Sequence, residues 1–242
     1  MTVSFGWGPV ESRVLAPAAA CVVVVDVLSF TTSVGVAVEG GTAVLPYRWR
    51  DATAVAHARE NDAVLAVGRR EATEAHPWSL SPAALRAAPR PPRLVLPSPN
   101  GSTIAAEAAA GGAAVVAASL RNHSAVARLL RDLGYGTADR PLAVVASGER
   151  WPDGSLRPAL EDLLGAGAVL SALRGTHTLT PEATAAATLW DATEDPVAAL
   201  HGCGSGRELY EYGFPQDVAV AAEIDHSATV PVLVEGAFQE AR

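Results

Sequence analysis

The sequence contains no lysine; all 18 of its basic residues are arginine. Acids outnumber them, 26 to 18, for a formal net charge of −8. An excess of negative charge with no basic cluster excludes a nucleic-acid surface. Because Arg binds oxyanions through two parallel hydrogen bonds, the missing lysines do not count against a phosphate or sulfonate ligand. Cysteine occurs only as Cys21 and Cys203. Their separation fits no metal spacing, and buried, inert thiols in a reducing cytoplasm are expected, with a single disulfide left open. No apolar run reaches the ~20 residues that a membrane span needs. Met1–Gly8 lacks the basic stretch followed by an apolar one that marks a secretory leader, so a cytoplasmic location is expected. Aromatics make up only 5% of the chain.

What the chain has in abundance is small and apolar. Hydrophobic residues are 49% of the 242, charged ones 18%. That is a globular composition, long enough for one domain over residues 1–242 with a sizeable core. Ala20–Val27 (ACVVVVDV) is a short β-branched run, the mark of a strand covered on both faces in a parallel sheet. A polar stretch through Thr31, Thr32 and Ser33 follows it. Then come a helix over Val34–Glu39, a Gly40-Gly41 stop and a strand over Thr42–Pro46. The same plan recurs as a strand at Arg93–Leu96, a polar loop at Ser98–Thr103, a helix at Ile104–Ala110, a Gly111-Gly112 stop and a strand at Ala113–Ala118. Thr31-Thr32 falls on Ser102-Thr103 and Gly40-Gly41 on Gly111-Gly112, an internally duplicated strand–loop–helix unit or simply the rhythm common to α/β folds. A third copy starts at Leu142–Ala146 and leads to a helix over Leu160–Leu173. Further helices are expected over Asp51–Glu60, over Asn122–Leu133 with Asn122 as cap, and from Thr180-Pro181 to Ala192. A strand is expected at Ala63–Val67 and a last one at Val230–Val234. The fold class is α/β, a three-layer α/β/α sandwich, with sheet order left open.

In such folds ligands bind at the carboxyl ends of strands, where helix N-termini attract anions. Asp26 ends the first valine strand, where a carboxylate can hold Mg²⁺ or cap the next helix. Thr31 and Thr32 offer hydroxyls to an oxyanion or to capping. Asn100, Gly101 and Ser102 form a second such loop, with Gly101 free to approach a ligand. Ser119, Arg121 and Asn122 follow a third strand; Arg121 is a bidentate anion clamp placed, unfavourably for a cation, in a first helical turn. Ser147-Gly148-Glu149 follow a fourth strand, and Glu161 and Asp162 open the next helix. Ser205-Gly206-Arg207 reads as a small anion loop. Asp217 and Asp225 have no assigned orientation. His123, His177, His201 and His226 show no ligand spacing and read as surface or capping residues. With no nucleophile elbow, Walker loop or Cys/His pair, this set points to metal-assisted hydrolysis of a small anionic ester.

The ordered series Asp26-Val27-Leu28 with Thr31-Thr32, Asn100-Gly101-Ser102, Ser119-Leu120-Arg121-Asn122, Leu160-Glu161-Asp162 with Gly165-Ala166-Gly167, Gly206-Arg207-Glu208-Leu209 and Asp217 resembles the 2-phosphosulfolactate phosphatase family. The likeness runs from about Cys21 to Val232. It implies hydrolysis of 2-phospho-3-sulfolactate to sulfolactate and phosphate in coenzyme M synthesis, with Mg²⁺, by a homodimer. It implies Asp26, Glu161 and Asp162 as metal or acid/base residues, and Asn100, Ser102, Arg121, Asn122 and Arg207 on the substrate side. The competing reading is a non-catalytic anion-binding protein on the same fold. Against the family pattern, Ser29 and Phe30 stand where Arg and Ala are usual, Gly68-Arg69-Arg70 where Gly-Glu-Arg is usual, and Ser79-Leu80-Ser81-Pro82 is what remains of a longer Asp-containing loop. Arg69 is the candidate to restore the missing positive charge.

Overall fold

A computed structural model describes residues 2–49 and 51–241; Met1, where the segment read for a leader begins, lies outside them. The strands are β1 (Val3–Trp7), β2 (Cys21–Val25), β3 (Ala43–Tyr47), β4 (Val64–Leu65), β5 (Arg93–Pro97), β6 (Ala114–Ala118), β7 (Leu142–Ala146), β8 (Glu149–Arg150), β9 (Leu156–Arg157), β10 (Pro231–Val234) and β11 (Ala237–Glu240). The helices are α1 (Gly8–Leu15), α2 (Phe30–Glu39), α3 (Ala52–Glu60), α4 (Pro82–Ala87), α5 (Gly101–Ala110), α6 (His123–Asp132), α7 (Leu160–Leu173), α8 (Pro181–Ala192), α9 (Pro196–Gly202), α10 (Gly204–Glu211) and α11 (Pro215–Ala221). Nine strands form one sheet in the order β1-β7-β2-β6-β10-β11-β3-β5-β4, and β8 pairs with β9 in a separate hairpin. Within β1-β7-β2-β6 and within β3-β5-β4 every pairing is parallel. The β10–β11 hairpin joins the two blocks through antiparallel pairings, so the blocks run in opposite senses.

The repeat expected from sequence is present in the backbone. Helices α2 and α5 have ten residues each and start 71 positions apart, as do β3 and β6. Both helices end in the same way. Gly41 and Gly112 take φ +86°, where a side chain would be strained. The N–H of each reaches back three residues, and the next N–H reaches back five, from Thr42 to Ala37 and from Ala113 to Ala108. The two units interlock. β2 of the first pairs with β6 of the second from Cys21↔Ala114 to Val25↔Ala118. β3 of the first pairs with β5 of the second in the matching register, Ala43↔Arg93 to Tyr47↔Pro97.

Layering follows from the side-chain alternation of β2. Val23 and Val25 join Leu130, Val169 and Leu173 of α6 and α7 in one core, while Val22 and Val24 join Phe30 and Val34 of α2 and Ile104 of α5 in the other. Each fully buried valine contributes roughly 1.5–3 kcal/mol. A valine run with both faces covered is therefore a strand between two helical layers, and the sandwich is as expected.

Differences from the expectations are local. Helices α2 and α5 begin at Phe30 and Gly101, so Thr31, Thr32, Ser33, Ser102 and Thr103 lie in first helical turns rather than in loops. The strand expected at Ala63–Val67 shrinks to Val64–Leu65, and the strand near Val230 is followed by another, β11. Asn122 precedes α6 as expected but does not cap it; its side chain instead ties the exit of β6 to Thr229 O at 3.0 Å. His123, read as a surface residue, is buried against Trp190, and its Nδ1 lies 3.1 Å from Asp225. Both cysteines are free and buried. No helix among the described residues is long and apolar enough to cross a membrane.

Helices α7 and α8 cross closely at Gly167. A β-carbon there would lie 3.1 Å from both the carbonyl carbon of Ala186 and Cβ of Trp190, and closer still to the carbonyl oxygen. Gly167→Ala is expected to lower stability by about 1–3 kcal/mol, a fall in Tm of roughly 3–10 °C at this chain length. Gly35→Ala, inside α2 with nothing within 4 Å of the new carbon, should hold or raise Tm, because Ala favours the helix by about 0.5–1 kcal/mol. Calorimetric scans of the two variants measure both.

Candidate active site

Three strand ends carry the site, and two aspartates bind them together. Asp26 follows β2. Its Oδ1 accepts the Phe30 N–H at 3.0 Å and its Oδ2 the Gly101 N–H at 3.2 Å, so one buried carboxylate receives the first turns of both α2 and α5. The approach requires glycine at 101, since a β-carbon would stand 2.8 Å from Asp26 Oδ2 and overlap the Phe30 ring. Asp162 makes the second tie. Its Oδ1 accepts the Val27 N–H at 2.7 Å and its Oδ2 the Gly148 N–H at 2.8 Å, joining the end of β2 to the loop after β7. Asn100 completes the ring by donating to Gly148 O at 3.1 Å and accepting from Arg150 Nε at 3.1 Å.

The hydroxyls considered for ligand contact are used by the backbone. Thr31 Oγ1 donates to Asp26 O at 2.8 Å, and Thr32 Oγ1 donates to Val27 O at 2.7 Å. Ser102 Oγ lies within hydrogen-bond reach of both Ser98 O and Tyr47 O, sharing its one proton between them, and accepts the Ser98 N–H. Ser119 Oγ accepts the Arg121 N–H at 3.2 Å.

Four acids stand within electrostatic reach of one another. Burial lifts Asp26 to about 6, against its two N–H bonds, with Glu161 raising it further. Burial lifts Glu149 to about 8, reinforced by Asp26 and Glu161. Asp162 is held well above the usual carboxylate range, first by burial and then by Asp26 and Glu161. Glu161 Oε2 is buried and has no hydrogen-bond partner among the described residues. The Cys203 thiol beside it is pushed up to about 12, mainly by burial. Of the nearby guanidinium groups, Arg157 pairs with Glu208 and Arg69 with Asp217, while Arg150 is spent on Asn100 Oδ1 and Gly154 O. Such a cluster calls for a cation. Among the described residues no three His, Cys, Asp or Glu side chains converge to enclose one.

A cavity of about 290 Å³ opens beside the cluster, lined by Trp7, Arg48, Asn100, Ser147, Glu149 and Arg150 among others. Ser147 Oγ is buried and unpartnered. The structure thus brings together Asp26, Asn100, Gly101, Glu161 and Asp162. Arg121 lies apart from them. It is 2% exposed, precedes α6 instead of lying in its first turn, and pairs with Glu39 and Glu223 at 3.1 Å each. It faces a separate cavity of about 320 Å³ with Arg86, Arg90 and His226. Arg207 lies on α10 and donates to Gly202 O.

Sequence reasoning left Glu149 without a role. Its signal was present, since it stands three residues past the end of a valine-rich strand. Arg150, and the pairing of Arg69 with Asp217 across 148 positions, gave no local signal at all.

The description of the 2-phosphosulpholactate phosphatase family matches residues 10–236. Three relatives carry the name "probable 2-phosphosulfolactate phosphatase". The protein of Thermus thermophilus is 32% identical over 217 residues, 88% of this chain and 87% of its own. That of Deinococcus radiodurans is 34% identical over 146 residues, 60% and 57%. That of Pseudothermotoga lettingae is 29% identical over 220 residues, 89% and 90%. With the strand-end acids in place and the likeness running through nearly all of its length, the chain belongs to the 2-phosphosulpholactate phosphatase family.

Proposed function

We propose that this protein is a phosphoric monoester hydrolase acting with Mg²⁺ on a small anionic phosphate ester, 2-phosphosulfolactate by the likeness of its relatives. The observation that carries the reading is Glu161 Oε2, buried and unpartnered among three further acids at the strand ends. Asp26 and Asp162 spend their oxygens on backbone N–H groups and keep the loops in register. Glu161 and Glu149 are the acids left for chemistry. Mg²⁺ held at Asp26 and Asp162, whose oxygens each keep a lone pair beyond the N–H they accept, would supply positive charge to the phosphoryl oxygens and leave Glu161 Oε2 free.

Glu161 Oε2 accepts a proton from the attacking water as its oxygen bonds to phosphorus. Glu149, protonated at neutral pH, gives its proton to the ester oxygen as the P–O bond breaks, leaving an alcohol and inorganic phosphate. A phospho-enzyme is not part of the proposal. Both oxygens of Asp26 are occupied, and the Cys203 thiol is protonated far above neutral pH.

The test is phosphate release from a panel of phosphorylated 2-hydroxy acids with Mg²⁺. Turnover is expected, and Glu161→Gln should lower kcat by about 10²–10⁴-fold without loss of fold. Binding of the panel with no release would replace the hydrolase by an anion-binding protein. Because the acid must carry its proton, the wild-type rate should fall at alkaline pH, at a lower pH the more Mg²⁺ is bound beside Glu149, and Glu149→Gln should remove that limb of the profile along with most of kcat.

Thermal stability checks the metal independently of turnover. Asp26 and Glu149 titrate higher in the folded chain, near 6 and 8, than their ordinary values of 3.8 and 4.5. Their contribution is therefore fully present below about pH 4 and is lost as pH rises through 6 to 8. The metal-free protein should lose Tm across that window. Mg²⁺ at about 100 times its Kd should restore roughly 5–10 °C at pH 8 and much less at pH 5. Equal shifts at both pH values would count against the acid cluster as the binding site.

A further inference from the structure

One cation near the cluster is fixed from behind and open in front. Arg69 follows β4. Its Nε donates to Oδ2 of Asp217 at 2.9 Å, and Nη2 donates to Ser29 Oγ. Asp217 is fully buried on α11, and its other oxygen accepts from Ser81 Oγ and from the Ala83 N–H at 3.3 Å. A buried carboxylate with this many donors holds a guanidinium in one orientation. Ser29 immediately precedes α2, three residues from Asp26, and the charge of Arg69 acts on the Asp26 carboxylate through space.

The rest of the group is not spent. A guanidinium has five N–H donors, of which Asp217 and Ser29 take two. The Arg69 side chain keeps 20% of its surface exposed, toward a cavity of about 420 Å³ lined by Arg70, Leu80, Leu209, Tyr212 and Phe214 among others. Phe214 lies 5.9 Å from the Arg69 guanidinium, and Arg70 sits over the Tyr212 ring at 5.0 Å. Among the described residues Arg70 has no ion pair. A purely structural ion pair has no need of an open face beside a second arginine and two aromatic rings. A cation held rigid on one edge and wet on the other is a clamp for an oxyanion.

We propose that Arg69 is a specificity-determining residue. It binds the second acidic group of the substrate, a carboxylate or sulfonate on the carbon skeleton, while the phosphate ester lies at the acid cluster; Asp217 and Ser29 are positioning residues, and Arg70 lines the outer wall. The proposal rests on the hydrolase reading, and the experiment separates the two. Steady-state rates are compared for glycerol 2-phosphate, for a phosphorylated 2-hydroxy acid bearing a carboxylate alone, and for one bearing both carboxylate and sulfonate.

In Arg69→Gln, KM for the acid-bearing esters should rise roughly 10–100-fold with kcat within about threefold, the fold-change of one lost charge-assisted pair. Their preference over glycerol 2-phosphate should fall by the same factor. Which of the two acid-bearing esters loses more tells whether carboxylate or sulfonate occupies the clamp. Asp217→Asn should show the same KM-against-kcat split to a smaller degree. Titration calorimetry with sulfolactate, which has no phosphate to release, reads binding without turnover. Binding that Arg69→Gln weakens at least tenfold, in a protein that hydrolyses nothing, sinks the hydrolase reading and keeps the clamp. A wild type that turns over all three esters, with KM ratios and sulfolactate affinity unmoved by the substitution, overturns the clamp. Should Arg69→Gln fail to fold, Arg69→Lys decides, since it keeps a charge on Asp217 but lacks the planar fork. A KM rise of about fivefold or more with kcat held supports the clamp, and an unchanged KM overturns it.

Discussion

The structure turns on a single buried carboxylate that receives two helix N-termini. Asp26 accepts one N–H from the start of α2 and one from the start of α5, each the positive end of a helix dipole. These are the equivalent helices of the two repeats. The interlocked pairing of β2 with β6 and of β3 with β5 brings the repeats together across the sheet, and Asp26 fastens the ends of the crossovers. Gly101 has no room for a side chain at that junction, so the contact depends on the residue as much as on the fold. The corresponding place in the second repeat is Ser98, whose N–H donates to Ser102 Oγ just as the Asp26 N–H donates to Thr31 Oγ1. Only one of the two equivalent strand ends carries a charge. The site is asymmetric although the scaffold repeats.

From that junction the electrostatics follow. Two N–H bonds and two helix ends favour the ionised form of Asp26, yet burial outweighs them and its acidity is reduced. Glu149, Glu161 and Asp162 add like charge at close quarters, where solvent screening is weak. A protein selected for stability alone would not collect four acids at one set of strand ends with the neighbouring arginines turned to other partners. Strain of this kind marks a site that expects a ligand. It also divides the labour among residues that look alike in sequence. Asp26 and Asp162 act on backbone, whereas Glu149 and Glu161 keep oxygens free.

How much of this was legible depended on range. The strand at Leu142–Ala146 and the helices around Leu160–Leu173 and from Thr180-Pro181 to about Ala192 could be read, because a valine run, a largely apolar helix and a Thr-Pro start are local signals. The repeat could be read from two Gly-Gly stops, since only a left-handed glycine ends a helix in that way. β11 was missed because Ala-Phe-Gln-Glu is short and half polar, and its place comes from pairing with β3 and β10. Thr31, Thr32 and Ser102 looked like ligand groups because hydroxyls at a helix start serve ligands and backbone equally well; which one they serve depends on carbonyls that only the folded chain brings near. Arg121 looked free for the same reason, since Glu39 and Glu223 lie far from it along the chain.

The position of Arg69 shows the same limit from the other side. The family pattern leads one to expect an arginine at position 29, and the sequence there has serine. The folded chain brings a guanidinium to that serine from a different loop, 40 residues away. The backbone position that brings a positive charge near Asp26 can differ if a second group fixes the side chain that carries it. Asp217 does so from α11, 148 residues beyond Arg69. A cation at position 29 would sit on the same loop as Asp26 and move with it. One delivered from the β4–α4 segment links that loop to α11 and faces the cavity lined by Arg70, Leu209 and Phe214. The departure at Ser29 therefore keeps the charge but changes its direction, and direction is what decides which part of a ligand it can meet.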